Sequence, residues 1–281
     1  MIKRILVPLD PSPYSKAALD WASFMAKRHG AELTGLVVLD FPGIKKSIGP
    51  VPLGGSFYAE RLQKSRLEDA KKHIQSLLSR FIEKCQREGV DHSAGQRQGV
   101  PSQWILAESI YFDAVVMGLR THFRFGASDK PGDSLEKVID HSITPIYCIP
   151  EKIHRPERPG QKMKVLISFN GSMAAGHALQ RFAQLALPDR SDVILLISHE
   201  NREVAFGYLD QAEMYLRRHS FSHIQKKWTG DDIIQVLETD YLDKVDLIVV
   251  GSHSQKGLFK FKLGSVPKYL IKVARTPILI G

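Results

Sequence analysis

Three segments of this chain occur twice, in the same order, and no other feature restricts the fold as much. IKRILVPLDPS at 2–12 returns as MKVLISFNGS at 163–172, DAVVMGLR at 113–120 as DLIVVGSH at 246–253, and VIDHSITPIYCIP at 138–150 as IKVARTPILIG at 271–281. A repeat of this size means duplicated domains, since one continuous fold has no reason to use the same strand ends twice. With 281 residues, each copy has the length of an ordinary small domain. The spacing locates the difference between the copies. Asp10 and Asn170 lie 160 residues apart, Gly118 and Gly251 133 apart, so the first half is longer between its first strand and its DAVVMG strand. Much of the excess is the Gly/Pro-rich stretch at 41–57, which reads as a loop, and the long helix after it.

Each half alternates strand and helix. ILVPL is a continuous apolar run of the buried parallel type, and residues 13–29 follow as a helix with Pro13 near its start. Leu67, Ala70, Ile74, Leu77, Phe81 and Cys85 recur at three and four, predicting a long helix over 57–86 with one buried stripe. The second strand ELTGLVVLD at 32–40, a short polar strand, helices at 101–111 and near 133–141, and the strands DAVVMG and PIYCIP complete the first half. The predicted architecture is α/β: two tandem, doubly wound, Rossmann-like sandwiches, each with a five-stranded mainly parallel sheet. The predicted domains are 1–150 and 163–281, joined by a polar, proline-bearing linker at 151–162.

Composition narrows the function classes. A formal charge of +9 is interleaved with acidic residues along helices, as in RLEDAKKHIQ, which reads as solvated helix faces. Without an RNA-recognition signature, zinc-finger spacing or a basic arm, a nucleic-acid partner is not expected. Apolar runs stop well short of the roughly 18–20 residues a membrane span needs, and MIKRILVPLD reads as a strand rather than a signal peptide. Two cysteines, Cys85 and Cys148, sit in apolar periodic segments and read as buried reduced thiols of a cytoplasmic protein. The P-loop, nucleophile-elbow and metal-ligand spacings are missing, so the site carries no predicted catalytic or metal-binding residue. His199, Glu200 and His253 lie near strand ends but read as surface residues. Trp21, Trp104 and Trp228 read as packing residues.

Open α/β sheets hold ligands beyond the carboxyl ends of their strands, where strand order reverses. At that point of the second half, Gly251 ends a strand, a basic loop with Gly257, Lys256, Lys260 and Lys262 follows, and Gly264-Ser265 opens a helix. Glycines admit a phosphate close to the backbone, and helix N-terminal amides point at it. Gly251, two residues, Ser254, nine residues, then Gly264 and Ser265 match the spacing Gly-x2-Gly-x9-Gly-Ser of the universal stress protein family, with Ser254 at the middle glycine. Together with the repeat and the Thr-Pro-apolar last strands, the whole chain resembles a tandem two-domain member of that family.

The resemblance implies an adenine-nucleotide site. It carries onto Ser168, Phe169, Asn170, Ser198, Val250, Gly251, His253, Ser254, Gly264, Ser265 and Val266 in the second half, and onto Pro8, Asp10, Val38, Gly118 and Gly132 in the first. Asn170 stands at the family's first-strand aspartate and retains donor and acceptor groups. The first half departs more at the phosphates: Thr121 replaces a glycine, and Asp133 follows Gly132 where a hydroxyl residue is expected. A carboxylate there repels a triphosphate unless a cation bridges them, though Arg120, Arg124, Lys130 and Ser134 stand close by. ATP, with or without Mg²⁺, is therefore expected chiefly in the second domain. The implied role is a nucleotide-binding stress-response regulator or adaptor with a protein partner. It is not a dedicated enzyme, and at most turns ATP over slowly. PIYCIP and PILIG, apolar edge strands, are expected to pair as an intramolecular pseudo-dimer, with homodimerisation open. A nucleotide-independent scaffold or small-ligand carrier with diverged pockets, and a weak ATPase, are the alternatives.

Overall fold

The computed structural model describes residues 1–51, 54–123, 132–153, 161–252 and 263–281. It contains two compact units, Lys3–Thr144 and Pro145–Gly281 together with Met1–Ile2.

The Lys3–Thr144 unit runs β1 (Arg4–Leu9), α1 (Pro13–His29), β2 (Glu32–Leu39), α2 (Phe41–Lys46), α3 (Ser56–Glu88), β3 (His92–Gln98), α4 (Pro101–Ser109), β4 (Ala114–Gly118) and α5 (Ser134–His141). Its strands lie in the order β3-β2-β1-β4 and every pair is parallel. Ile5, Leu6 and Val7 of β1 and Val115 and Val116 of β4 are at most 1% exposed, as strands covered on both faces require. Helix α1 begins where Ser12 Oγ accepts from Ser15 N at 3.1 Å and ends at Gly30, whose φ of +65° suits a residue without Cβ.

The 41–57 stretch is not all loop. Phe41–Lys46 is helical because Asp40 Oδ1 accepts from Gly43 N at 2.8 Å, a cap that outweighs the poor propensity of Pro42 and Gly43. The long helix starts one residue earlier and ends two later than its buried stripe indicates, closing on Gly89 in the left-handed region.

The second unit runs β5 (Ile146–Ile149), β6 (Met163–Ser168), α6 (Met173–Leu185), β7 (Ser191–Ser198), α7 (Arg202–Arg218), β8 (Ile224–Thr229), α8 (Ile233–Val236), β9 (Leu247–Val250), α9 (Ser265–Val273) and β10 (Ile278–Ile280). Strand order is β5-β10-β9-β6-β7-β8. All described pairs are parallel except β5 with β10, where Cys148 faces Ile278 and Tyr147 faces Leu279. Strand β5 thus packs with the second unit, although its sequence belongs to the first repeat.

Several repeated residues hold strands in place. Asp113 Oδ2 accepts from Lys3 N, and its counterpart Asp246 Oδ2 from Lys164 N, each at 2.7 Å, pinning β4 beside β1 and β9 beside β6. The two buried threonines of the Thr-Pro motifs do likewise. Thr144 Oγ1 donates to Ser109 O at 2.8 Å, and Thr276 Oγ1 accepts from Asp243 N at 3.1 Å. Cys85 and Cys148 are both free and fully buried, and burial raises both thiols, Cys85 to about 11, so neither is a reactive thiolate. Trp21 is core, while Trp104 Nε1 donates to Gln98 O and Trp228 Nε1 to His199 O. Among the described residues no helix is long and apolar enough to cross a membrane.

Candidate functional site

At the carboxyl ends of β6, β7 and β9 a cleft of about 230 Å³ opens in the second unit. The strand ends supply Ser168, Phe169, Asn170, Ser198, Val250 and Gly251, and the start of α9 supplies Gly264, Ser265 and Val266. Nine of the sequence-predicted residues therefore line one cavity. His253 and Ser254, with Lys256, Gly257, Lys260 and Lys262, lie outside the described residues.

Each wall has a local cause. Asn170 sits at the exit of β6, where its Oδ1 accepts from Ser172 N at 3.1 Å and Gly171 takes φ +71°. Ser172 Oγ then accepts from Ala175 N at 3.2 Å, starting α6. A Cβ on Gly171 would stand 2.7 Å from the Tyr208 ring, so this turn is held between backbone strain and an aromatic wall. Ser198 Oγ donates to Asp231 O at 2.7 Å, tying the end of β7 to the turn before α8.

The start of α9 is different. Gly264 N donates to Ser252 O at 3.1 Å, and among the described residues no side chain caps the helix. Pro267 has no N–H, so the first-turn donors are the amides of Ser265 and Val266, beside the exposed Ser265 hydroxyl. Uncapped amides at a helix N-terminus, with the partial positive charge of the dipole behind them, make an anion site. Ile233, Val250, Val266 and Pro267 add apolar surface, and Ser168, Asn170 and Ser198 add hydrogen-bonding groups. The cleft thus offers helix-terminal donors on one side and apolar surface with hydrogen-bonding groups on the other.

Five lining residues escape the sequence motif: Ser172, Ala174, Ala175, Ile233 and Pro267. The first three are the opening turn of the helix after β6, which a doubly wound sheet always places at the switch point. Ile233 enters from α8, which lies outside the three repeated sequence segments.

The glycine at the end of β9 has a second duty. A Cβ on Gly251 would lie 2.5 Å from Ala174 C and 2.7 Å from Ala174 O and Ala175 N. On Gly118, the counterpart in the first unit, it would lie 2.7 Å from Tyr14 Cβ and 2.8 Å from Tyr14 C. Tyr14 and Ala174 are themselves equivalent in the repeat, so both glycines let a strand end pass against the first turn of the helix that follows the neighbouring strand, α1 after β1 and α6 after β6.

The first unit's candidates are arranged otherwise. Pro8 and Val38 are buried within β1 and β2, and Asp10 is 3% exposed. Both Asp10 carboxylate oxygens are occupied at 2.8 Å, Oδ1 by Ser12 N and Oδ2 by His122 N. Burial raises the Asp10 carboxyl above its ordinary value, against the lowering effect of Ser12 and His122. Gly132 N donates to Thr121 O at 2.8 Å. Asp133 stands at the start of α5, exposed, and pairs with Lys137 Nζ at 2.6 Å. Arg124 and Lys130 lie outside the described residues. His199 Nδ1 is 3.0 Å from both Asn201 N and Asn201 O.

The family model described as the universal stress protein family matches this chain twice, over residues 1–150 and 163–280. The fold and site thus define an α/β protein of that class, and the chain belongs to the universal stress protein family as a tandem two-domain member. A universal stress protein of Synechocystis sp. is 21% identical, with 99% of each chain covered. One from Mycobacterium tuberculosis is 23% identical over 99% of this chain and 94% of its own. Among solved structures, a universal stress protein of Archaeoglobus fulgidus superposes with a TM-score of 0.68 at 17% identity, covering 99% of this chain and 97% of its own. That likeness is one of fold.

Proposed function

We propose that the second unit binds an adenine nucleotide, ATP with Mg²⁺ in the first instance, and that the chain works as a nucleotide-responsive regulator or adaptor in the cytoplasm. The observation that carries this reading is the convergence of Ser168, Asn170 and Ser198 with the uncapped start of α9 in one cleft. In this arrangement Ser265 Oγ and the amides of Ser265 and Val266 hold phosphate oxygens. Asn170, half of whose polar groups are not used by Ser172, reads the nucleoside. The cleft is smaller than the roughly 300–1,000 Å³ of whole-ligand pockets, which suits a nucleoside inside and phosphates along α9.

The first unit binds nucleotide weakly or not at all in this account. Asp10 is consumed by two backbone amides, and the Asp133 carboxylate sits where phosphates would come. The antiparallel pairing of β5 with β10 supports an intramolecular pseudo-dimer built on repeats 1–150 and 163–281, with 151–162 as the linker. Titration calorimetry of the full chain with Mg·ATP is expected to show one saturable site. No saturation up to millimolar nucleotide would leave the scaffold or carrier reading in its place.

A further inference from the structure

A larger cavity lies in the first unit, between α1 and α3, and shares no residue with the nucleotide cleft. It measures about 630 Å³, inside the roughly 300–1,000 Å³ range of small-molecule pockets. Its lining includes Leu9 at the end of β1 and Leu19 of α1, both buried, the half-buried Leu77 of α3, and the carboxylates of Asp10, Asp20 and Glu83. Lys16, Arg80 and Arg87 stand around it, all exposed.

Helical spacing explains the arrangement. Leu77, Arg80, Lys84 and Arg87 recur at three, four and three, so one face of α3 carries an apolar residue and then three cations towards α1. Lys84 is already committed, with Asp20 Oδ1 and Glu88 Oε1 each 2.6 Å from its Nζ. Lys16, Arg80 and Arg87 pair with no carboxylate among the described residues, although Glu83 also lines the cavity one turn before Arg87. Lys16, Arg80 and Arg87 thus present exposed donors at the rim of a groove whose wall includes Leu77. Guanidinium groups grip carboxylate and phosphate alike through paired N–H donors.

We propose that this groove binds a small anionic amphiphile, a molecule carrying one carboxylate or phosphate on an apolar chain. The chain lies on Leu9, Leu19 and Leu77, and the anion meets Arg80, Arg87 and Lys16.

The test is calorimetry of the full chain with decanoate, decyl phosphate and uncharged decanol, each below its aggregation concentration. The comparison protein is Arg80→Glu/Arg87→Glu, which alters exposed side chains only and whose melting temperature is recorded alongside. The expected result is one saturable site for an anionic probe, weakened about tenfold or more in the variant, and none for decanol. Binding of decanoate alone assigns an acyl carboxylate, and of decyl phosphate alone a phosphomonoester. Equal binding of decanol, equal affinity in a folded variant, or no saturation with either anion overturns the proposal.

Discussion

Gly251→Ala is expected to destabilise the protein by about 3 kcal/mol, the upper part of the range for overpacking a rigid site. The added methyl would sit 2.5 Å from Ala174 C and 2.7 Å from Ala174 O and Ala175 N, all backbone atoms, so no side chain can rotate away. Relief requires shifting the first turn of α6 off β9, which also breaks the Ser172 cap. Gly118→Ala meets Tyr14 in the same way and is expected to cost a comparable amount. Gly176 provides the control. It lies inside α6 with open space where its Cβ would be, so Gly176→Ala should stabilise by about 0.5–1 kcal/mol. Urea unfolding of the three variants checks the ordering. A Gly251→Ala protein as stable as the parent would show that the strand and helix do not approach this closely. One consequence concerns function: loss of nucleotide binding in a Gly251 variant does not by itself locate a phosphate there.

Ser265→Asp separates binding from folding. Position 265 opens α9 and is exposed, and a carboxylate in the first turn of a helix favours the macrodipole by about 0.3–1 kcal/mol. Stability should hold or rise slightly. ATP affinity should fall about a hundredfold or more, because a fixed negative charge then faces the phosphates across the amides meant for them. The first repeat already carries this residue as Asp133, so the substitution gives the second cleft the chemistry of the first. Calorimetry reads the affinity and thermal melting the stability. Unchanged affinity would move the phosphates away from α9.

How much of this was legible beforehand depended on the kind of residue. Buried strands such as ILVPL and DLIVV declare themselves by continuous apolar runs, and the repeat fixes their order. The nine cleft residues came from the family resemblance, and they share one cavity because a doubly wound sheet brings its strand ends and the start of the last helix to the switch point. The short helix at Phe41–Lys46 was not legible, since Pro42 and Gly43 argue for a loop and only the Asp40 cap decides otherwise. Nor was the commitment of Asp10 visible. A strand-end aspartate looks like a ligand-binding group, and only the placement of His122 N, distant in sequence, shows both its oxygens occupied. Asp113, Asp246, Thr144 and Thr276 teach a related point: residues can recur in a duplicated fold because they tie strands to one another or to the adjoining helix end and turn.

The central claim, that ATP lies in the second unit's cleft against the start of α9, is tested most directly by amide hydrogen exchange with and without saturating Mg·ATP. Protection is expected at 169–175 and at 264–270, with 10–16 and 132–137 unchanged. Protection confined to 10–16 and 132–137, or no change at either site under saturating nucleotide, would contradict it.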